Sequence, residues 1–196
     1  MKTSNFIFIG NHFVTDFVNT RKNVKGARTE LLHDYGDLMD WLEQSGKSKF
    51  VSGNPDSLPS SRRGELFQNI MSFRDDLEQA FVDMIREKSV PTFITELINK
   101  SLKSNGGYLQ IEQSEASVAL ARYYTTSQLF VLFLEEAALF FASIKPDNLK
   151  KCENEACILY FYDTSRNQQR RWCSMEKCGN RVKVNQHYHR KKNRIQ

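Results

Sequence analysis

The stretch "CENEACILYFYDTSRNQQRRWCSMEKCGNRVK", Cys152 to Lys183, holds every cysteine of the chain, spaced as Cys152-x4-Cys157, fifteen intervening residues, then Cys173-x4-Cys178. Two close pairs separated by a hairpin's length can bring four thiolates onto one tetrahedral Zn²⁺. The competing readings are four buried thiols or two surface disulfides. A disulfide-stapled secreted protein would rarely leave its first 151 residues without a bridge, so a single structural Zn²⁺ held by Cys152, Cys157, Cys173 and Cys178 is expected. Four thiolates saturate such a site, so His187 and His189 are not needed as ligands. A catalytic zinc would need an open position, which this ligand count does not leave, and the protein is expected not to be an enzyme. Between the pairs, "ILYFYD" (Ile158–Asp163) reads as a strand, "SRNQQR" (Ser165–Arg170) as a turn, and Arg171-Trp172 as the return, with Trp172 in the finger core. Past Cys178 a basic helix is expected. Knuckle, β-hairpin and helix together describe a treble-clef-like zinc finger.

Charge is divided unevenly. Of 28 Lys/Arg and 23 Asp/Glu, residues 150–196 carry 12 against 4, and the residues before them 16 against 19. Such asymmetry points to a polyanionic partner for the tail rather than for the whole molecule. The candidate nucleic-acid contacts are Arg166, Asn167, Arg170 and Arg171 on the turn, and Arg181, Lys183, His187, Arg190 and Lys191 on the helix. Arg181 and its neighbour Asn180 have an alternative role, holding the finger together. A solvated basic face is the bland alternative for the whole set.

Upstream, the 40% hydrophobic composition is enough for a core in one domain. "HFVTDFVNT" (His12–Thr20) has apolar residues at helical spacing, behind "FIFI", which is an edge strand or a buried lead-in. Polar residues from Arg21 to Thr29 read as a loop. Helices follow over "DYGDLMDWLEQSG" with Gly46 as the stop, over a run from about Ser61 through Leu66, Ile70, Phe73, Leu77, Phe81 and Met84, and from Pro91 to about Ser104. "YLQIE" and "SVALARYY" flank a polar turn as a β-hairpin. The segment Thr126–Ile144 is apolar nearly all round and is expected to be a central buried helix, or one shared in a homodimer. Glu135 and Glu136 interrupt it, so no membrane span is expected. With only a short apolar run near the start, a cytoplasmic location is expected.

Within the first helix, His12, Asp16, Asn19 and Thr20 can share one side. Two readings compete: they brace neighbouring elements through buried hydrogen bonds, or they line a pocket for a small-molecule effector.

The cysteine-bearing stretch also resembles the CGNR zinc finger, named for a run present here as Cys178-Gly179-Asn180-Arg181. Ser165-Arg166-Asn167 and "RRWCSM" (Arg170–Met175) match it too. "DFVNT" (Asp16–Thr20) and "DYGDLMDWLEQSG" are similar to the start of the ABATE domain, which precedes this finger in bacterial stress-induced transcription regulators. The resemblance implies a DNA-binding regulator. ABATE domains are often alanine-rich, whereas the middle of this chain is rich in Phe, Lys and Asn, so no ligand residues carry over. The expected architecture is a mainly α domain with a small β-hairpin (α+β) over residues 1–145, a linker at 146–150, and the finger at 151–196. Double-stranded DNA is the expected partner, and an RNA- or protein-binding zinc adaptor is the alternative. A treble-clef nuclease needs a histidine before the finger helix, and the finger has none.

Overall fold

The computed structural model describes residues 6–103, 107–113 and 118–185. Their elements run α1 (Phe13–Val18), β1 (Arg21–Val24), β2 (Ala27–Glu30), α2 (Tyr35–Gln44), β3 (Val51–Ser52), α3 (Ser60–Glu87), α4 (Thr92–Leu102), β4 (Tyr108–Gln113), β5 (Val118–Thr125), α5 (Leu129–Ser143), β6 (Leu149–Lys151) and β7 (Tyr160–Tyr162). The mainly α, α+β architecture is as the periodicities indicate. In α5, Val131, Leu132, Phe133, Leu134, Ala137 and Phe140 are all buried, because the other helices and β5 pack around it. By length and composition alone, 126–143 would be apolar enough to cross a membrane. Here it is the central core helix. Phe17 of α1, Trp41 of α2 and Phe133 of α5 meet in an aromatic cluster, with Phe17 and Phe133 ring centres 4.6 Å apart.

Four strands, β1, β2, β3 and β6, were hidden in the sequence. Residues 21–30, read as a loop, form the antiparallel β1–β2 hairpin. Its two turn residues, Lys25 (φ 52°) and Gly26 (φ 89°), both have positive φ, which suits the right-handed strand twist. Asn23 Oδ1 accepts the Gly26 N–H at 2.9 Å and closes the turn. A lysine at the first turn position conceals this signal, since Asn-Gly is the usual one. β3, only two residues long, adds parallel to β5 to give a sheet of order β3-β5-β4.

A buried ion pair ties β2 to α3. The Arg74 side chain, 1% exposed, donates to Glu30 at 2.8 and 2.6 Å and to Thr20 Oγ1 at 2.7 Å. Burial acts to raise the Glu30 pKa, but hydrogen bonds from Arg74 and Arg21 outweigh it and hold the carboxyl at about 2, below its ordinary 4.5. With a depressed folded pKa, the stabilisation is complete above pH 4.5 and is lost as pH falls toward 2. We expect Glu30→Gln to cost about 2 kcal/mol at pH 7, since Glu30 is part exposed. Urea titrations at several pH values should show that cost shrinking toward zero across this acid window.

The last two strands decide how the finger sits. β6 pairs with β7 antiparallel, Leu149 opposite Tyr162 and Lys151 opposite Tyr160. The finger's hairpin therefore encloses the first cysteine pair, instead of lying between the two pairs. The return segment, Arg171-Trp172, forms no strand, but the Arg171 carbonyl accepts the Glu153 N–H at 3.0 Å. Alternation along β7 sends its side chains to opposite faces. Tyr160 enters the main core and meets Phe81 edge-on at 5.6 Å, whereas Phe161 is fully buried among the cysteines. Within residues 146–150, Asn148 is buried, its carbonyl accepts the Asp163 N–H at 2.7 Å, and Leu149 lies in the main core.

Candidate metal centre and basic surface

The four cysteine sulfurs all lie within 4.8 Å of one another. Cys157 and Cys173 are separated by 3.7 Å, and Cys173 and Cys178 by 3.6 Å. A tetrahedral Zn²⁺ with bonds of about 2.3 Å sets its sulfurs about 3.8 Å apart, so the cluster fits one structural zinc ion. These separations are too long for disulfides, which need about 2.05 Å. Cys173 N–H points at the Cys152 sulfur from 3.4 Å, a donor suited to a ligating thiolate. Among themselves the thiols cannot all ionise: donation to the Cys152 sulfur, then burial, push the Cys157 thiol up to about 12, and Cys173 is raised further by the same neighbours. A divalent cation supplies the charge that lets four thiolates share this space.

The second cysteine pair is placed by a helix start. Ser174, in extended conformation, caps it by accepting the Lys177 N–H at 3.3 Å. The first turn, Met175–Gly179, is a π-turn, in which the Asn180 N–H reaches back to the Met175 carbonyl, and the helix continues to residue 185. Gly179 makes this possible sterically: a Cβ there would lie 2.5 Å from Met175 Sδ and 3.2 Å from the Trp172 ring. Met175 is 47% exposed and can swing aside, so the cost of Gly179→Ala comes down to the tight Trp172 contact, about 1 kcal/mol, read as a slightly lower urea midpoint with zinc stoichiometry retained. Trp172 is part buried against the zinc-side core, as its expected core role requires.

The loop between β7 and Cys173 is organised by Asp163, whose role the linear sequence does not announce. Its fully buried carboxylate accepts from Lys150 Nζ (2.7 Å), the Ser165 N–H (3.0 Å) and hydroxyl (2.6 Å), and the Arg170 N–H (2.8 Å). Burial acts to raise its pKa, but Lys150, Ser165 and Arg170 outweigh it and hold the group at about 2. An aspartate followed two residues later by serine was the available signal, as a side chain able to close an Asx-type turn.

The nucleic-acid candidates divide sharply. Arg170 is engaged within the protein: its guanidinium donates to the carbonyls of Ile9 (3.0 Å), Trp172 (3.1 Å) and Cys173 (2.5 Å), and lies 4.3 Å from the Phe161 ring centre. It clamps the finger to the N-terminal arm, with Nε and Nη2 both committed to carbonyls. Arg171 pairs with Glu153 at 2.6 Å. Arg166, Asn167, Arg181 and Lys183 are exposed, and none has a polar partner among the described residues. Asn180 is likewise exposed and unpartnered among them, so neither it nor Arg181 performs the internal bracing role through its side chain. His187, Arg190 and Lys191 lie outside the described residues.

The N-terminal set is consumed by internal bonds. His12 Nδ1 caps α1, accepting the Val14 N–H at 3.3 Å, and its ring packs on Phe140. The Asp16 carboxylate accepts the N–H groups of Ile9 (2.9 Å) and Gly10 (2.7 Å), fixing the arm; burial raises its pKa to about 6 against the pull of these donors. Thr20 donates to the Phe17 carbonyl at 2.7 Å and accepts from Arg74. Asn19 acts as a substitute strand partner for β7: its Nδ2 donates to the Tyr160 carbonyl and its Oδ1 accepts the Tyr160 N–H, both at 2.8 Å. The arm completes the junction, with the Gly10 carbonyl accepting from Tyr162 N–H at 2.8 Å and Asn11 Nδ2 donating to the Tyr162 carbonyl at 3.0 Å. Asn19 thus braces the finger directly and Asp16 does so through the arm, whereas His12 and Thr20 are bonded within the helical domain.

Two family models match the chain. One, ABATE, described as "Putative stress-induced transcription regulator", covers residues 11–142, and the other, the CGNR zinc finger, covers residues 148–191. No curated protein matches. With the four thiols gathered in tetrahedral range and the helical domain packed against them, the chain belongs to the ABATE family and carries a C-terminal CGNR zinc finger.

Proposed function

We propose that the protein is a transcription regulator without enzymatic activity that binds double-stranded DNA through the finger. The observation that carries this reading is the group of exposed side chains Arg166, Asn167, Arg181 and Lys183, unpaired among the described residues and borne on the zinc-pinned loop and helix. Cations on a rigid support need little backbone ordering when they meet phosphate, and they release condensed counterions from the duplex. His187, Arg190 and Lys191 extend the same basic run in sequence. Arg170 and Arg171, held by carbonyls and by Glu153, are left out of the contact set.

In this reading the helical domain positions the finger and transmits any effector response through the Asn19–Tyr160 and Arg170–Ile9 links. On the same reading an effector acts elsewhere than at His12, Asp16, Asn19 and Thr20, whose polar groups are engaged in bonds within the protein. Fluorescence anisotropy with a labelled duplex supplies the test. Arg181→Ala with Lys183→Ala should weaken binding and reduce the slope of log K against log salt by about 0.9 for each phosphate that is no longer neutralised. An unchanged affinity and slope would leave the basic surface as a solvated face. Competition by structured RNA that outperforms duplex DNA would favour the adaptor reading.

A further inference from the structure

The cysteine cluster is not equally shielded on all sides. Cys152, Cys173 and Cys178 are buried, at 6%, 3% and 7% exposure, whereas Cys157 is only part buried. Cys157 opens onto a groove of about 370 Å³ between the finger and the N-terminal arm. Its lining includes Ile7 and Ile9 of the arm, Ile158 and Leu159 of the finger, and the more deeply buried Cys173 and Cys178. Lys22, Lys177 and Arg181 also line it, none with an acidic partner among the described residues; Glu176 is the one acidic residue in the lining. Cys157 is therefore the least shielded of the four ligands, and the cations along the groove favour a departing hydroxide. Behind that sulfur, Cys173 stands 3.7 Å away, within easy closing distance of a disulfide bond.

We propose that Cys157 is a peroxide-reactive modification site and that Cys157 with Cys173 forms a thiol switch that releases the metal. The Cys157 thiolate attacks one oxygen of hydrogen peroxide. An S–O bond forms, the O–O bond breaks, and hydroxide leaves, so sulfur is oxidised to the sulfenic acid and peroxide is reduced. The Cys173 thiolate then attacks the Cys157 sulfur, forming S–S and expelling the second hydroxide. Both hydroxides take protons from solvent as water, and the two electrons lost by the thiolates match the two gained by peroxide. With two of four ligands consumed, the remaining pair cannot retain Zn²⁺ in a closed site. Arg170 holds the carbonyls of Cys173 and Ile9 together, so the change at Cys173 reaches the arm directly.

The test uses the zinc-loaded full chain, hydrogen peroxide, a colorimetric zinc chelator and peptide mapping after alkylation. Expected results are zinc release in step with oxidation, reversal by dithiothreitol with added zinc, and a Cys157–Cys173 cross-linked peptide preceded by modification at Cys157. Cys157→His keeps a four-ligand site and should slow release about tenfold or more by removing the accessible thiolate, whereas Cys178→His should release zinc as fast as the parent. First oxidation at Cys152, Cys173 or Cys178, equal rates in the two variants, or no release under excess peroxide would overturn the proposal. The mapping on the parent protein decides the matter even if Cys178→His fails to fold.

Discussion

Cys173→Ser should lower the unfolding midpoint of the entire protein, not of the tail alone. Read from sequence, a short zinc-stapled tail beyond a linker would unfold independently and leave the helical domain intact. The structure places Leu149 and Tyr160 in the main core and Ile7 and Ile9 in the zinc-side core, so each module supplies wall for the other. Zinc is worth on the order of 10 kcal/mol to an isolated finger. Loss of even half of that from a chain of this size corresponds to a fall of about 10–20 °C. Circular dichroism at 222 nm should show the helical transition itself moving down. A Cys173→Ser variant whose helices melt at the parent temperature would show that the two modules are thermodynamically independent.

Asn19→Ala is expected to be strongly destabilising for a change of one polar side chain. The residue is 2% exposed, and its amide satisfies both backbone groups of Tyr160 at 2.8 Å. Removing it leaves a buried N–H and a buried carbonyl without partners, at about 1–3 kcal/mol for each, or about 2–6 kcal/mol together. A urea midpoint within experimental error of the parent would contradict the bracing role. A normal midpoint with an altered response to an added ligand would instead point to a binding pocket.

What the sequence made legible follows the range of each signal. The cysteine spacing and the helical periodicities of α2 to α5 are local patterns, and they located the metal ligands and the core helices to within a few residues. The β1–β2 hairpin was concealed because its turn is Lys25-Gly26. Strand β6 was concealed because three residues, Leu149 to Lys151, carry too little alternation to register. Asn19 reaches Tyr160 across 141 positions and Arg170 reaches Ile9 across 161, and no local pattern encodes such pairs. Basic composition also misleads about individual side chains. Arg170 and Arg181 both belong to the basic segment, yet carbonyls around the zinc-side core claim one and leave the other in solvent.

The central claim is that zinc organises the surface that meets DNA. Its most direct measurement is an anisotropy titration of one labelled duplex with three forms of the full chain: zinc-loaded, zinc-depleted by chelation under reducing conditions, and reconstituted with Zn²⁺. A rigid finger aligns its cations with successive phosphates, so depletion should weaken binding about tenfold or more and flatten the salt dependence, and reconstitution should restore both. Equal affinity and equal salt slope in the zinc-loaded and zinc-depleted forms would contradict the account, because the basic residues would then bind as an unstructured polycation with no need of the finger.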